Sequence, residues 1–300
     1  MKKFIDSFIN VWKIEELKNR ILLTLGLLLV YRFGAQVTLP GIDATKLTNL
    51  TNQTDEGIGW LINVFTGGAF SQASVFALGI MPYISASIVV QLMGIAVPYL
   101  QKLQKDGESG RKKINQITRW LTILITLVQG PGYIYNLYRT LPGEAFMLTG
   151  PTFIFSSVLI LVTGTIFAMW LGEKITDKGI GNGISLIIMV GIIAQLPYGI
   201  FAEFATRMEG NGGLIPFIVE IAALFFVVMF TILIVQGVRK IPVQYAKKQV
   251  GSKQVGGVRQ YIPLKVNAVG VMPIIFAQAI MFIPATMMQF FPNSQSSILA

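Results

Sequence analysis

The sequence contains no cysteine and no histidine among its 300 residues. Without cysteine there is neither a disulfide framework nor a thiolate nucleophile, and without histidine the commonest general base and metal ligand is missing. The apolar segments also lack an interior pair of carboxylates. Hydrolysis, metal catalysis and covalent catalysis therefore lack their usual groups, and we predict a protein that is not an enzyme, with no catalytic residue, metal site or cofactor.

Charged residues are also scarce. They make up 13% of the chain, against roughly 25% in an ordinary soluble domain, while 53% of the residues are hydrophobic. Apolar segments of about 20 residues recur, and each is long enough to cross a bilayer as a helix. The predicted fold is an all-α polytopic membrane protein with about seven transmembrane helices. These spans are placed at residues 21–39, 75–99, 117–138, 151–171, 183–201, 214–238 and 266–291.

The basic residues are distributed unevenly between the two sides of the membrane. The amino-terminal segment and the loops after spans two, four and six together contain 20 of the 24 lysines and arginines. Cytoplasmic loops collect basic residues, so these segments are predicted to face the cytoplasm. Residues 1–20 are accordingly interpreted as a cytoplasmic amphipathic segment.

Two loops, 102–119 and 239–265, hold most of the basic residues. Such loops set membrane topology and attract anionic lipid head groups, which is the simpler interpretation. The second loop also interleaves Tyr245, β-branched residues and glycines with its cations, a pattern suited to docking on RNA or a protein partner. The sequence leaves both interpretations open.

The glycine-rich segment 178–185, KGIGNGIS, has a superficial likeness to a phosphate-binding loop. A dinucleotide fingerprint follows a β-strand, whereas this segment lies between two predicted membrane spans. We interpret it as a tight turn that re-enters the membrane. Thr176 or Asp177 is expected to cap the turn, and the glycines allow the next helix to start close to its neighbours.

Residues 60–75 are uncharged, moderately apolar, and rich in glycine, serine, threonine and asparagine. With span two they form a predicted broken helix whose first short part re-enters from the outer side and is buried in protein. The alternative is an ordinary interfacial loop. Arg32 and Glu220 are the only ionisable residues well within the predicted spans, and both are expected to extend to the outer surface.

Two pairs of isoleucines are spaced four residues apart, Ile80 with Ile84 and Ile184 with Ile188. Each pair lies on one face of its predicted helix. Isoleucines in membrane helices usually face lipid or another helix, so a pore-lining role needs additional support.

Seven motifs resemble the SecY family of protein-conducting channels, and they occur in order over the length of the chain. They are YRFG at 31–34, LPGID at 39–43, FALGIMPYISAS at 76–87, DGESGRKK at 106–113, WLGEKIT at 170–176, GIGNGIS at 179–185 and PLKVN at 263–267. The resemblance implies a channel that passes unfolded preproteins across the membrane and releases apolar segments sideways into lipid.

The family implies ten spans in two inverted halves. By this resemblance residues 21–201 are the first five-helix half and 202–300 a partial second half, and we expect a chain truncated after the seventh span. The expected location is the plasma membrane, with a cytoplasmic amino terminus. The expected partners are small membrane subunits resembling SecE and SecG, a motor ATPase resembling SecA, the translating ribosome, preprotein signal sequences and anionic lipids.

The resemblance also implies roles for individual residues. The pore ring is expected to contain Ile80, Ile84, Ile184, Ile188 and Ile275. A plug is expected at about residues 61–73, including Phe65, Thr66, Gly67, Gly68, Ala69 and Phe70, and Gln91 is expected at a lateral gate. Docking is assigned to Arg239, Lys240, Lys247, Lys248 and Lys253, followed by Arg111 and Lys112.

Two other functions fit parts of the sequence. A secondary transporter predicts a saturable small-molecule site with polar groups at the membrane midplane. A scaffold that only recruits ribosomes predicts that deleting residues 61–73 has no effect on ion leak.

Overall fold

The computed structural model describes residues 12–47, 63–208, 213–244, 248–250, 253–255 and 259–267, together with residue 277. The chain divides into two compact units. One comprises residues 1–198 with 278–300, and the other is Gly199–Ala277.

The described part of the chain is mainly helical, as predicted. Six of the seven predicted spans coincide with helices, and nearly all of the seventh, 266–291, lies outside the described residues. The helices are α1 Glu15–Ala35, α2 Met81–Ala96, α3 Pro98–Lys105, α4 Gly107–Thr140, α5 Pro151–Lys178, α6 Gly183–Met208 and α7 Leu214–Gln236.

Within these described ranges, α5, α6 and α7 are long and apolar enough to cross a membrane, and the bent pair α2 and α3 makes a fourth candidate. Helix α1 is less apolar because it begins with Glu15 and Glu16 and contains Arg32 in its last turn. The apolar residues of α4 are interrupted by polar ones. Thr118, Thr122 and Thr126 are buried on one side of this helix. Each of these threonines donates a hydrogen bond to the carbonyl four residues earlier, at 2.7 to 2.9 Å.

The first two predicted spans need their boundaries corrected. Helix α1 ends at Ala35, four residues before the predicted end, and α2 begins at Met81 rather than at 75. Helix α2 is also followed by a bend of 101° into α3. Val97 is extended at this bend, with ψ of 115°. Its conformation follows from Pro98, because proline disfavours helical geometry in the residue before it.

The loops after α1 and after α4 are connected by hydrogen bonds between three short segments. We call residues 37–46, 73–75 and 144–147 the outer clasp. The amide of Leu39 donates to the carbonyl of Ala73 at 2.8 Å, and Asp43 donates to Ala145 at 2.9 Å. Lys46 forms an ion pair with Glu144 at 3.0 Å. The Asp43 carboxylate accepts hydrogen bonds from the Thr45 hydroxyl and amide, which lower its pKa. The clasp thus satisfies backbone groups of the loops after α1 and α4 through hydrogen bonds between distant segments.

The opposite end of the first unit contains the turn between α5 and α6. Arg119, in the amino-terminal half of α4, donates to Glu173 near the end of α5, with a distance of 3.2 Å from Nε to Oε1. Thr24 in α1 accepts a hydrogen bond from the amide of Ile180 at 3.2 Å. The loops after spans two and four therefore lie at one end of this unit and the clasp at the other.

The second unit contains the end of α6, helix α7 and a β ribbon. Arg207 bonds Glu203 at 2.8 Å and Glu220 at 2.6 Å, so Glu220 pairs with a neighbouring helix. Residues 239–265, predicted as a loop, instead include antiparallel strands β1 Val238–Gln244 and β4 Arg259–Lys265. Two shorter strands, β2 Lys248–Val250 and β3 Lys253–Val255, pair with each other.

Candidate functional site

The predicted plug segment has an irregular backbone. Residues 63–66 form a single helical turn, and turns follow up to the start of α2. Gly67, Gly68, Ala73 and Gly79 all have positive φ, between 46° and 90°. The prediction of a break before α2 is confirmed, and residues 63–66 are the described part of the predicted short helix. A run of left-handed residues explains this, because helical geometry cannot pass through them.

Polar side chains inside the segment satisfy its irregular backbone. The amide of Ser71 donates to Asn63 Oδ1 at 3.1 Å, and the amide of Phe70 donates to Thr66 Oγ1 at 3.3 Å. The Ser71 hydroxyl donates to the carbonyl of Gly68 at 3.1 Å. Asn63, Thr66 and Ser71 are buried. The polar residues that make this segment a poor membrane span are therefore what allow it to be buried without a helix.

Arg32 connects α1 to the same segment. Its Nη1 atom donates a hydrogen bond to the carbonyl of Gly67 at 3.0 Å, and the residue is half-buried. This side chain was predicted to extend to the outer surface; in the structure its guanidinium has a backbone carbonyl as its partner. A guanidinium in an apolar span gains more from a backbone carbonyl acceptor within reach than from a partial approach to water.

Two helices pack directly on the segment. Gly191 of α6 lies so close that a Cβ atom built on Gly67 would be 2.8 Å from the Gly191 Cα. On α4 the Tyr133 hydroxyl donates to the carbonyl of Phe70 at 2.9 Å, and the two rings lie 4.9 Å apart. The segment is thus held by α1, α4 and α6 together.

The candidate ring isoleucines lie beside this segment. Ile80 is buried in one apolar cluster with Ala69, and Ile84 and Ile184 pack against that cluster. The cluster also contains Ile187, which is 1% exposed, whereas Ile188 is half-buried beside it. Ile275 lies outside the described residues. Ile187 is not among the predicted ring residues, although its spacing of three from Ile184 places it on the same side of α6.

The glycine-rich segment is a turn between α5 and α6, as predicted. The amide of Gly183 donates to Thr176 Oγ1 at 2.8 Å, and the amide of Ser185 donates to Asn182 Oδ1 at 3.2 Å. A Cβ atom on Gly183 would lie 2.0 Å from the carbonyl oxygen of Gly172. Glycine at this position therefore permits the close approach of the two helices.

Gln91 lies on the exposed side of α2, where its amide donates to Ser87 of the same helix at 3.2 Å. Arg111 and Lys112 are exposed near the start of α4, and Lys112 pairs with Glu108 at 3.1 Å. Gln91, Arg111 and Lys112 are therefore polar side chains at the protein surface. Their roles at a gate and in docking stay predictions.

The remaining docking candidates belong to the β ribbon, apart from Lys247, which lies outside the described residues. Lys248 falls in β2 and Lys253 in β3. Arg239 and Lys240 are consecutive in β1, so their side chains lie on opposite faces. Lys240 shares its face with Tyr261 and Lys265, whereas Arg239 shares its face with Ile241, Ile262 and Leu264. The ribbon therefore has a basic face and a mainly apolar face.

Comparison with known proteins gives consistent matches. A family model described as SecY matches residues 74–300. The protein translocase subunit SecY of Escherichia coli K12 is 44% identical over 278 residues, covering 92% of this chain and 62% of that protein. The corresponding subunit of Streptomyces scabiei is 40% identical over 298 residues, covering 95% of this chain and 67% of its own length.

Solved structures agree in fold. One described as the structure of a protein-conducting channel matches with a TM-score of 0.60 at 21% identity, covering 91% of this chain and 58% of that one. The yeast Ssh1 complex bound to its ribosome matches with a TM-score of 0.64 at 16% identity, covering 94% of this chain and 60% of that one. The chain thus spans about three fifths of the length of these two structures.

Proposed function

Because the chain belongs to the SecY family, we propose that it forms the first part of a protein-conducting channel that passes unfolded preproteins across a membrane and releases apolar segments into lipid. The chain spans 62% of the Escherichia coli relative, so the complete pore requires the segments that correspond to the rest of that relative. The protein is a multi-pass membrane protein with a mainly helical fold.

One observation carries the proposal: a buried, uncharged segment packs in one apolar cluster with isoleucines at the start of α2 and in α6. Ala69 of the segment is 0% exposed and shares the cluster with Ile80 and Ile187. Branched apolar side chains close a narrow pore by excluding water, and they offer no specific hydrogen bond to a passing chain. Such a constriction suits cargo of any sequence.

In this proposal the ring contains Ile80, Ile84, Ile184 and Ile188, with Ile275 from the second half. Residues 61–73 are the plug, with Phe65–Phe70 at its centre, and Gln91 belongs to the lateral gate. The halves are 21–201 and 202–300. In this proposal the channel itself does no chemistry.

The proposed location is the plasma membrane with the amino terminus in the cytoplasm. The basic residues support this orientation, because the amino-terminal part of α4, which pairs with the end of α5 through Arg119, belongs to the side with most of the basic charge. Anionic lipids are expected at the same surface. Partners resembling SecE, SecG and SecA, and preprotein signal sequences, complete the proposal.

The ribosome is the partner with the most direct support, since two structural neighbours are described as ribosome-bound channel complexes. We place its contact on the basic face of the β ribbon. We expect Lys240→Gln combined with Lys265→Gln to weaken ribosome binding and to reduce the slope of affinity against salt by about one per lost phosphate contact. Arg239→Gln, a docking candidate on the opposite face, tests whether that face also makes the contact.

Binding of ribosomes to full-length protein in vesicles, titrated at several salt concentrations, measures this effect. An equal loss for Arg239→Gln and for the double variant would show that the contact does not distinguish the two faces. Unchanged binding in all variants would remove the ribbon from the docking surface.

Photo-crosslinking in the full-length protein tests the proposed function itself. A photoreactive residue is placed at Ile84 or Ile188 while a secretory nascent chain is stalled on its ribosome in native membranes. We expect a crosslink to the nascent chain that depends on its signal sequence. Leu29, which is 70% exposed on α1, is the control position and is expected to give none. Equal labelling at all three positions would contradict the ring assignment and favour tests of small-molecule uptake.

A further inference from the structure

Arg32 is a charged residue one turn before the end of an otherwise apolar run in α1. Its hydrogen bond to the carbonyl of Gly67 spans 3.0 Å and joins positions 35 residues apart. A guanidinium in a membrane span is costly unless a partner compensates for its lost hydration. The bond therefore favours the arrangement in which Gly67 stays beside α1.

Gly67 is the point where three elements meet. Its φ is +66°, and a Cβ atom built there would lie 2.5 Å from Arg32 Nη1 and 2.8 Å from the Cα of Gly191. Any side chain would separate α6 and Arg32 from the segment. The absence of a side chain at Gly67 is thus what allows the guanidinium to reach the carbonyl.

The carboxyl end of the segment is fixed separately. Residues 73–75 belong to the outer clasp, where Val75 donates to the carbonyl of Val37 at 2.9 Å. Ala73 has φ of +46°, which is unfavourable for a residue with a side chain. Movement of residues 63–70 about Ala73 would break the Arg32 bond while leaving the clasp intact.

We propose that Arg32 is a positioning residue that latches the plug segment in the closed channel through the carbonyl of Gly67. This inference rests on the proposed function, because it gives this charge-assisted hydrogen bond a share in holding the plug closed, beside the contacts from α4 and α6. Opening leaves the guanidinium to find new partners. Removing the bond should raise the open-to-closed ratio by roughly tenfold to a hundredfold, the range expected for a hydrogen bond to a charged group.

The test compares Arg32→Met, Arg32→Lys and the control Arg139→Met in the full-length channel, reconstituted in vesicles. Arg139 is exposed in the last turn of α4. Each variant also contains Ala69→Cys in a background without other cysteines, because Ala69 is fully buried in the closed arrangement. The rate at which a water-soluble thiol reagent modifies this cysteine reports movement of the segment.

We expect Arg32→Met to raise the modification rate and the resting ion conductance, Arg32→Lys to have an intermediate effect, and Arg139→Met to have none. The midpoint of thermal unfolding should hardly change in Arg32→Met, because removing a charge from the apolar span offsets the loss of the hydrogen bond. If Arg32 had only a structural role, Arg32→Met would lower the thermal stability and Arg32→Lys would not restore it. Modification at the parent rate in Arg32→Met, with preprotein transport intact, would overturn the latch.

Gly67→Ala gives a second test that keeps the arginine. Its Cβ would displace Nη1 and Gly191, so it should raise the same modification rate, and combining it with Arg32→Met should add little. Additive effects would contradict a shared contact. If the parent channel itself neither transported nor crosslinked to preproteins, the proposed function would fail, and this outcome is distinct from an unaltered rate in a working channel.

Discussion

Gly164→Ala is expected to destabilise the protein strongly. Gly164 lies within α5, and a Cβ atom built there would be 2.3 Å from the carbonyl oxygen of Val75. The carbonyl is held in place, because the Val75 amide bonds Val37 at 2.9 Å and the adjacent Phe76 ring stacks on Tyr31 at 5.5 Å. Overpacking against a fixed backbone costs about 1–3 kcal/mol or more, so the midpoint of thermal unfolding should fall clearly.

Gly26→Ala is the matched control for this prediction. Gly26 is also inside a helix, α1, but a Cβ atom there would have no heavy atom within 4 Å. Alanine is a better helix former than glycine, so this variant should unfold at the same temperature or slightly higher. The two variants are compared in the same detergent by following the loss of helical signal on heating. Similar midpoints would mean that α5 and residue 75 are not packed closely.

The helical fold could be predicted from the sequence, because the length of the apolar runs alone indicates membrane helices. Helices α5, α6 and α7 are continuous apolar runs, and their predicted positions agree with the structure to within a few residues at most of their ends. The turn before α6 was accessible too, since glycines between two spans have few other uses. These features depend only on neighbouring residues.

Features that depend on distant residues were not accessible. Arg32 is 35 residues from Gly67, whose carbonyl accepts its hydrogen bond. Every residue has a backbone carbonyl, so the sequence does not indicate which one is the acceptor. Tyr133 likewise donates to a backbone carbonyl, that of Phe70, which is 63 residues away in the sequence. Side-chain pattern can indicate that a charge in a span needs a partner, but the partner follows only from the packing of α1 against the segment.

The β ribbon was missed for a different reason. Its lysines and arginines dominate the composition of residues 239–265, and charge is typical of loops. The strands have prolines at 242 and 263, which usually argue against a central strand. Among the described residues each strand of this pair has only one neighbour, so each proline is tolerated on the unpaired edge. The alternation of basic and apolar faces would have been the better signal.

Ile84→Glu is expected to have the largest effect on channel function. Ile84 packs against the cluster that contains Ile80, Ile187 and Ala69. A carboxylate in an apolar span costs about 2.5–3.5 kcal/mol, and most of that cost disappears when water enters the constriction. Since about 1.4 kcal/mol corresponds to tenfold, the hydrated state should gain roughly a hundredfold relative to the dry one.

The measurement is resting ion conductance of the full-length channel in planar bilayers, with preprotein transport assayed in parallel. Ile95→Glu is the matched control on the same helix, because Ile95 is 74% exposed close to the end of α2. We expect a large rise in leak for Ile84→Glu and none for Ile95→Glu. If Ile84→Glu left both leak and transport unaltered, the isoleucines would have to be assigned to helix packing alone, and the barrier to ions would have to come from the plug segment and its latch.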